Sequence, residues 1–403
     1  MPAAPAVDVK QPDFFRAFDD MLGSVPVADW KTLLRWRLVH ATAPTLSTPF
    51  VNEDFRFNQL FGGQKELLPR WKRCTFATDG GLGELLGQEY VKRTFPPEAM
   101  ERAVKIVGNL VDELHSRIER LDWMSQPSKV QAMAKLAAFM RKIGYPDTWR
   151  DYSKLDIKTG EYAVNALAAQ QFEAARQWAK IGKPVDRAEW GMTPPTVNAY
   201  YNPQLNEIVF PAGILQPPFY DPNADDAVNY GAMGAVIGHE MTHGFDDQGR
   251  QYDKDGNLKD WWTKEDAKKY DAEAAKVVKQ YDAYTIVDSV THVKGKLTLG
   301  ENIADFGGLT VAYAAMEKAL GTGARDKIDG FTPEQRFFLA WAQVWRTLDR
   351  PEYQQTLVNV DPHSPGKWRV NGPFSDMPEF KQAWGCKDTD PMVRPTSGRA
   401  RIW

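Results

Sequence analysis

The feature that most constrains this chain is the stretch Val236-Ile237-Gly238-His239-Glu240-Met241-Thr242-His243-Gly244. On a helix of 3.6 residues per turn, two histidines four apart lie one above the other and can grip a single metal ion. Glu240 falls about 100° further round the same helix. From there its carboxylate can take a proton from a water beside the ion without becoming a ligand. Val228, Ala232, Ala235 and Val236 carry the apolar face of this helix upstream, Asp225 and Asp226 offer caps, and Gly244 offers a stop.

A catalytic zinc takes three protein ligands and keeps a fourth position open. One common pattern asks for a histidine six residues after His243, but Gly249 stands there, and Asp246 occupies the place of that pattern's glycine. Fifty-eight residues after His243 comes Glu301, followed four residues later by Asp305, at the start of a helical-looking run through Leu309–Met316. The two acids share one helix face. Glu301 is the expected third ligand, and Asp305 the expected acceptor for the outer ring N–H of a ligating histidine. Asp246 and Asp247 read equally well as such acceptors or as solvated acids at a helix end. The run Tyr252-Asp253-Lys254-Asp255-Gly256-Asn257 lacks the distal glutamate of a calcium loop and reads as a turn.

Several phrases now occur in one order: Asn198-Ala199-Tyr200, the run from Phe210-Pro211 to Pro218-Phe219, the His239 stretch through Trp261-Trp262, Gly300 to Leu309, and Val370-Asn371-Gly372. In this the chain resembles the C-terminal part of the neprilysin-like (M13) zinc metallopeptidases, from the Arg70–Cys74 segment onward. The resemblance implies a thermolysin-like zincin catalytic domain with part of a helical lid, one zinc ion per chain, and oligopeptide substrates. It implies that His363 steadies the transition state and that Arg369 holds a substrate carbonyl. Asn198 and the backbone of Ala199 are the implied contacts to the substrate backbone. Ile214, Phe219, Val236, Val344 and Trp345 are the implied lining for the residue after the scissile bond, and so cleavage is expected on the N-terminal side of bulky hydrophobic residues. With His239, His243 and Glu301 on the metal and Glu240 as general base, the expected activity is zinc-dependent endopeptidase. The alternative is a catalytically inactive peptide-binding fragment. The family's lid has an upstream half that this chain does not match, so a separate upstream fragment is an expected partner, and the apolar stripe from Val104 to Leu121 is expected to face water. By resemblance the location is periplasmic or extracellular.

Composition agrees with a soluble globular chain that is mainly α with a small β-sheet (α+β). Fifty basic and 53 acidic residues give a net charge of −3 without a basic stripe, so neither nucleic acid nor an anionic membrane is an expected partner. No apolar run is long enough to span a bilayer, and the first residues lack the basic and apolar regions of a signal peptide. Residues 1–190 read as a partial helical lid with linker helices, and 191–403 as the catalytic domain. Within the first part, one expected helix follows Pro96-Pro97 and ends near Asp122, a second follows Ser125-Gln126-Pro127 and stops at Gly144, and a third runs from Tyr162 to Lys180. His40 and His115 have no partners in the pattern and read as ordinary surface or core residues. Thr196–Tyr201 and Asn206–Phe210 read as strands of a small sheet beside the metal helix, and Phe337–Trp345 as an aromatic helix. Cys74 and Cys386 are too few for a disulfide framework, which favours free thiols.

Overall fold

The computed structural model describes residues 7–323 and 325–403. Helices α1 (Pro12–Ser24), α2 (Val27–Thr42), α3 (Thr48–Gly62), α4 (Arg70–Thr94), α5 (Pro97–Arg120) and α6 (Gln126–Ala137) lead into strand β1 (Met140–Gly144). Helix α7 (Tyr162–Trp178) precedes β2 (Tyr200–Asn202) and β3 (Glu207–Pro211). Then come α8 (Asp226–Asn229), α9 (Ala235–Thr242), α10 (Lys264–Asp282) and α11 (Leu299–Leu320). The chain closes with α12 (Pro333–Val344), α13 (Pro351–Val360), α14 (Gly366–Asp376) and α15 (Pro378–Trp384).

These elements form two compact units: the chain up to Leu82 with Trp149–Arg187, and Gly83–Thr148 with Ala188–Trp403. This differs from the single break expected near residue 190. Gly83–Thr148 folds with Ala188–Trp403 because α5 finds its partners in that unit, packing on α6, α9 and α11. Ala103, Ile106, Val107, Leu110, Leu114 and Ile118 are buried, so the stripe expected to face water is covered; only Val104, at its start, is exposed. Pro97 sits in the first turn of α5, where its missing N–H costs nothing, and the helix ends at Arg120, two residues before Asp122.

In the first unit, α1 and α3 bury no residue and α2 buries only Thr42. Phe14, Phe15, Trp36, Leu60, Trp71 and Phe76 are all exposed there. Cys74, in the same unit, and Cys386, in the other, are both free.

The second unit holds the sheet. Its order is β1-β3-β2, with β1 parallel and β2 antiparallel to a fully buried β3. The helix expected to reach Gly144 therefore stops at Ala137. Met140–Gly144 pairs residue by residue with Glu207–Pro211, a long-range ladder that overrides the local helical pattern. Of the stretch Thr196–Tyr201, only Tyr200 and Tyr201 enter a strand, because Pro194 to Thr196 makes a tight turn that receives the Gly213 N–H. The third expected helix ends at Trp178, short of Lys180.

Asp225 caps α8, its side chain accepting the Ala227 N–H. A π-helical turn at Tyr230–Gly234 carries the helix on into α9. The positions facing α11 are small. A Cβ built on Gly308 meets His239 N at 2.5 Å and Ala235 O at 2.6 Å, and one built on Gly238 meets Gly308 O at 2.7 Å. The two backbones are therefore in direct contact, which only glycine at both positions permits. Glu301, Asp305 and Gly308 recur at intervals of four and three on α11, so the face that reaches α9 through glycine presents both acids to the histidines.

Candidate active site

Helix α9 delivers His239 and Glu240, the turn after it delivers His243, and the first turns of α11 deliver Glu301 and Asp305. The His239 and His243 Nε2 atoms are 2.9 Å apart. Glu301 closes the group, with Oε2 at 3.2 Å from His239 Nε2 and Oε1 at 3.6 Å from His243 Nε2. The outer ring nitrogens are held from behind. His239 Nδ1 donates to Asp305 Oδ1 at 2.8 Å, and His243 Nδ1 donates to Asp246 Oδ2 at 2.6 Å. Asp246 is thus an acceptor behind the site. Asp247 has one buried oxygen, Oδ1, without a hydrogen bond, and its other oxygen accepts from Gln248.

This arrangement fits a zinc ion. With both Nδ1 protons committed, the two Nε2 lone pairs and the Glu301 carboxylate converge as acceptors facing acceptors, and Glu301 Oε2 is buried and makes no hydrogen bond among the described residues. Ligands about 2.0–2.1 Å from a tetrahedral zinc lie about 3.3 Å from one another, close to the spacing found. Glu240 offers a carboxylate oxygen within 4.8 Å of ligand atoms on both histidines. Electrostatics agree. Burial alone would lower both histidines, but the carboxylates around them override it, and the His243 pKa lies well above its ordinary value. Burial would raise Glu301, yet the two imidazoles hold it far below the usual carboxylate range. The field at the meeting point favours positive charge. Glu240, by contrast, is raised by burial, against the pull of His239 and His243.

Arg369 on α14 is buried and grips Asp305 with two N–H groups, Nε to Oδ2 at 2.8 Å and Nη2 to Oδ1 at 2.6 Å. Its guanidinium lies 3.8 Å from the Trp345 ring centroid, and the Trp341 indole donates to its backbone carbonyl. His363 approaches from the far side, Nε2 at 3.2 Å from Glu301 Oε2, while Asp361 Oδ1 receives both its Nδ1–H and its backbone N–H.

These groups open on a cavity of about 980 Å³. His239, Glu240, His243, Glu301, His363 and Arg369 line it, as do Asn198, Ala199, Ile214, Phe219, Val236 and Trp345. Val344, the last residue of α12 and an expected part of this lining, is not among the described lining residues, and Asp305 lies behind His239. Asn198 is exposed and its side chain takes up the Ala199 N–H at 2.9 Å. Sequence reasoning missed Asp361, although an acid two residues before a loop histidine is a recognisable orienting pair. It also missed Ser364, whose buried hydroxyl donates to Asn302 Oδ1 at 2.7 Å and ties the His363 loop to the Glu301 helix. The Asp253–Asn257 segment is a turn, as expected, in which Asp253 Oδ1 accepts the Asp255 and Asn257 N–H groups.

Two family models, each described as Peptidase family M13, match residues 2–146 and 198–400. The chain belongs to peptidase family M13. Among curated M13 relatives it is 38% identical to human endothelin-converting enzyme 1 over 379 residues, covering 91% of this chain and 49% of that protein. It is 33% identical to human neprilysin over 409 residues, covering 98% of this chain and 54% of that one. The chain thus spans about half the length of the curated relatives it matches. Among solved structures it is similar to the Mycobacterium tuberculosis zinc metalloprotease ZMP1 bound to an inhibitor, with a TM-score of 0.93 and 45% identity over 98% of this chain and 61% of that one. A second M13-like match is PEPO from Lactobacillus rhamnosis HN001, with a TM-score of 0.82 and 33% identity over 90% of this chain and 56% of that one. The mainly helical architecture with one small sheet is therefore the M13 fold.

Proposed function

We propose that this chain carries the active site of a zinc-dependent endopeptidase that cleaves oligopeptides on the N-terminal side of bulky hydrophobic residues. One observation carries the reading: the His239, His243 and Glu301 ligand atoms converge within 2.9–3.6 Å, beside a buried Glu240 on the wall of a large cavity. His239, His243 and Glu301 hold one zinc ion, and Asp305 and Asp246 fix the tautomers of the two histidines. When bound, zinc supplies a Lewis acid that polarises a peptide carbonyl and makes water a nucleophile at neutral pH.

The remaining steps belong to the chain. The Glu240 carboxylate takes the proton of the attacking water and passes it to the leaving amine nitrogen, a role suited to a carboxyl whose pKa burial has raised. His363, in its imidazolium form with Nδ1–H on Asp361, donates from Nε2 to the carbonyl oxygen as negative charge gathers there. Arg369 has two N–H groups committed to Asp305 and keeps the rest of its fork for a substrate carbonyl. Strand β2 lies at an edge of the sheet, and its residues Tyr200 and Tyr201 line the cavity, so an extended peptide can lie along it, held by Asn198 and the Ala199 backbone. Ile214, Phe219, Val236 and Trp345 make the wall that selects an apolar side chain after the cleaved bond. By family resemblance the proposed setting is periplasmic or extracellular, and no helix among the described residues is long and apolar enough to cross a membrane.

A second reading rests on the exposed apolar side chains of α1 to α4. Aromatic faces of that extent mark surfaces that another stretch of polypeptide covers, here a separate upstream fragment that completes the lid. One digestion experiment addresses both. Quenched-fluorescent peptides are incubated with the zinc-loaded chain and the products are mapped by mass spectrometry. The expected cuts precede Phe, Leu, Ile or Met; cuts clustered after charged residues contradict the proposed specificity. A monodisperse monomer with full activity contradicts the need for an upstream fragment.

A further inference from the structure

Helix α6 places a lysine in the interior of the second unit. Lys135 is 1% exposed, and among the described residues it has no carboxylate in ion-pair contact. Burying an ammonium without a paired charge is costly, so its surroundings must give it a reason to stay. Burial pulls its pKa down to about 7, against the more distant attraction of Asp246 and Asp253. In either protonation form the nitrogen has at least two N–H groups to donate, and it places them on two backbone carbonyls, Gly249 O and Tyr252 O, each at 2.7 Å. The Tyr201 and Phe245 rings flank it with centroids at 5.7 Å.

Those carbonyls belong to the turn that holds the second histidine. Gly249 turns its own N–H to Asp246 Oδ1 at 2.6 Å, and the Gln248 N–H joins it at 2.9 Å. The other oxygen of Asp246 accepts from His243 Nδ1 at 2.6 Å. The turn has no slack: a Cβ on Gly249 would sit 1.7 Å from His243 O. A continuous relay therefore runs from Lys135 Nζ to the Gly249 carbonyl, from the Gly249 N–H to Asp246, and from Asp246 to the ring of His243.

We infer that Lys135 is a positioning residue for His243, holding the Gly249–Tyr252 turn so that Asp246 keeps the imidazole aimed at the metal. The inference rests on the zinc-site reading above. It assigns a role to a residue 108 positions upstream of His243, in a segment with no recognisable metal chemistry of its own.

The test is zinc affinity, measured by competition with a chromophoric chelator on the full chain. Lys135→Met keeps the stem and removes the donors; the expected result is a zinc affinity about tenfold weaker, the lower end of what losses behind a metal ligand cost. Lys142→Met is the control. Lys142 is another buried lysine, paired with Glu207 at 2.6 Å and donating to the Glu189 carbonyl rather than to this turn, so its loss should lower Tm and leave zinc affinity at the wild-type value. A double-mutant cycle with Asp246→Asn then asks whether the two residues act through one path, in which case the combined loss is well short of the product of the single losses. Should Lys135→Met fold poorly, Lys135→Gln, whose shorter amide reaches at most one of the two carbonyls, carries the same test with a smaller loss. Wild-type zinc affinity in a folded Lys135 variant overturns the inference, and so do independent effects in the cycle. Failure of the wild-type chain to bind zinc in the same assay overturns the site reading instead.

Discussion

Replacing Glu240 with glutamine is expected to leave zinc affinity near the wild-type value while lowering peptide hydrolysis by about 10²–10⁴-fold, the usual contribution of a positioned proton-transfer group. Glutamine has the same shape and neutral polarity, so the packing of this 6%-exposed side chain is kept. Only its capacity to accept a proton is lost. The expectation depends on Glu240 standing beside the metal ligands without being one. Its oxygen lies within 4.8 Å of the histidine ligand atoms, whereas Glu301 reaches them at 3.2 and 3.6 Å. Zinc affinity by chelator competition and initial rates on a quenched peptide are the two readouts. Near-normal turnover removes Glu240 from the role of base; a large fall in zinc affinity makes it a ligand.

The second large effect comes from a residue with no side chain. Gly308→Ala adds one methyl group where the nearest atoms are His239 N at 2.5 Å and Ala235 O at 2.6 Å, both backbone. Backbone within a packed helix cannot turn aside, so α11 must back away from α9, and overpacking of this kind costs about 1–3 kcal/mol. The same displacement carries Glu301 and Asp305 away from His239, so zinc affinity should fall at least tenfold along with Tm, as when support behind a ligand is lost. Gly108→Ala in α5 is the comparison: its added Cβ meets nothing within 4 Å, and relief of glycine's entropy in a helix should stabilise the protein by about 0.5–1 kcal/mol. Thermal melts of the two variants should move in opposite directions. Unchanged zinc affinity in Gly308→Ala contradicts the account of how the two helices share the site.

Much of this site was legible because its chemistry is written at helical spacing. His239 and His243 four apart, and Glu301 and Asp305 four apart, each state a shared face, and the need for a third ligand links the two pairs across 58 residues. What was not legible depends on contacts that no local pattern encodes. Met140–Gly144 reads as the end of a helix until β3 is there to pair with it. The α5 stripe reads as waiting for a missing partner, yet it is covered by α11, almost 200 residues later in the chain. Asp246 could not be separated from Asp247 by sequence, since both follow the same histidine; the backbone turn alone aims one at His243 and leaves the other aside. Lys135 gave no signal at all, because its partners are backbone carbonyls, which every sequence possesses.

The most direct test of the account is calorimetric titration of the metal-stripped chain with zinc, run alongside Glu301→Ala. The three-ligand site predicts about one zinc bound per wild-type chain and a large loss of affinity in the variant, because two histidines alone leave the ion a ligand short. A folded wild-type chain that binds no zinc, or a Glu301→Ala chain that binds it as tightly as wild type, contradicts the central claim.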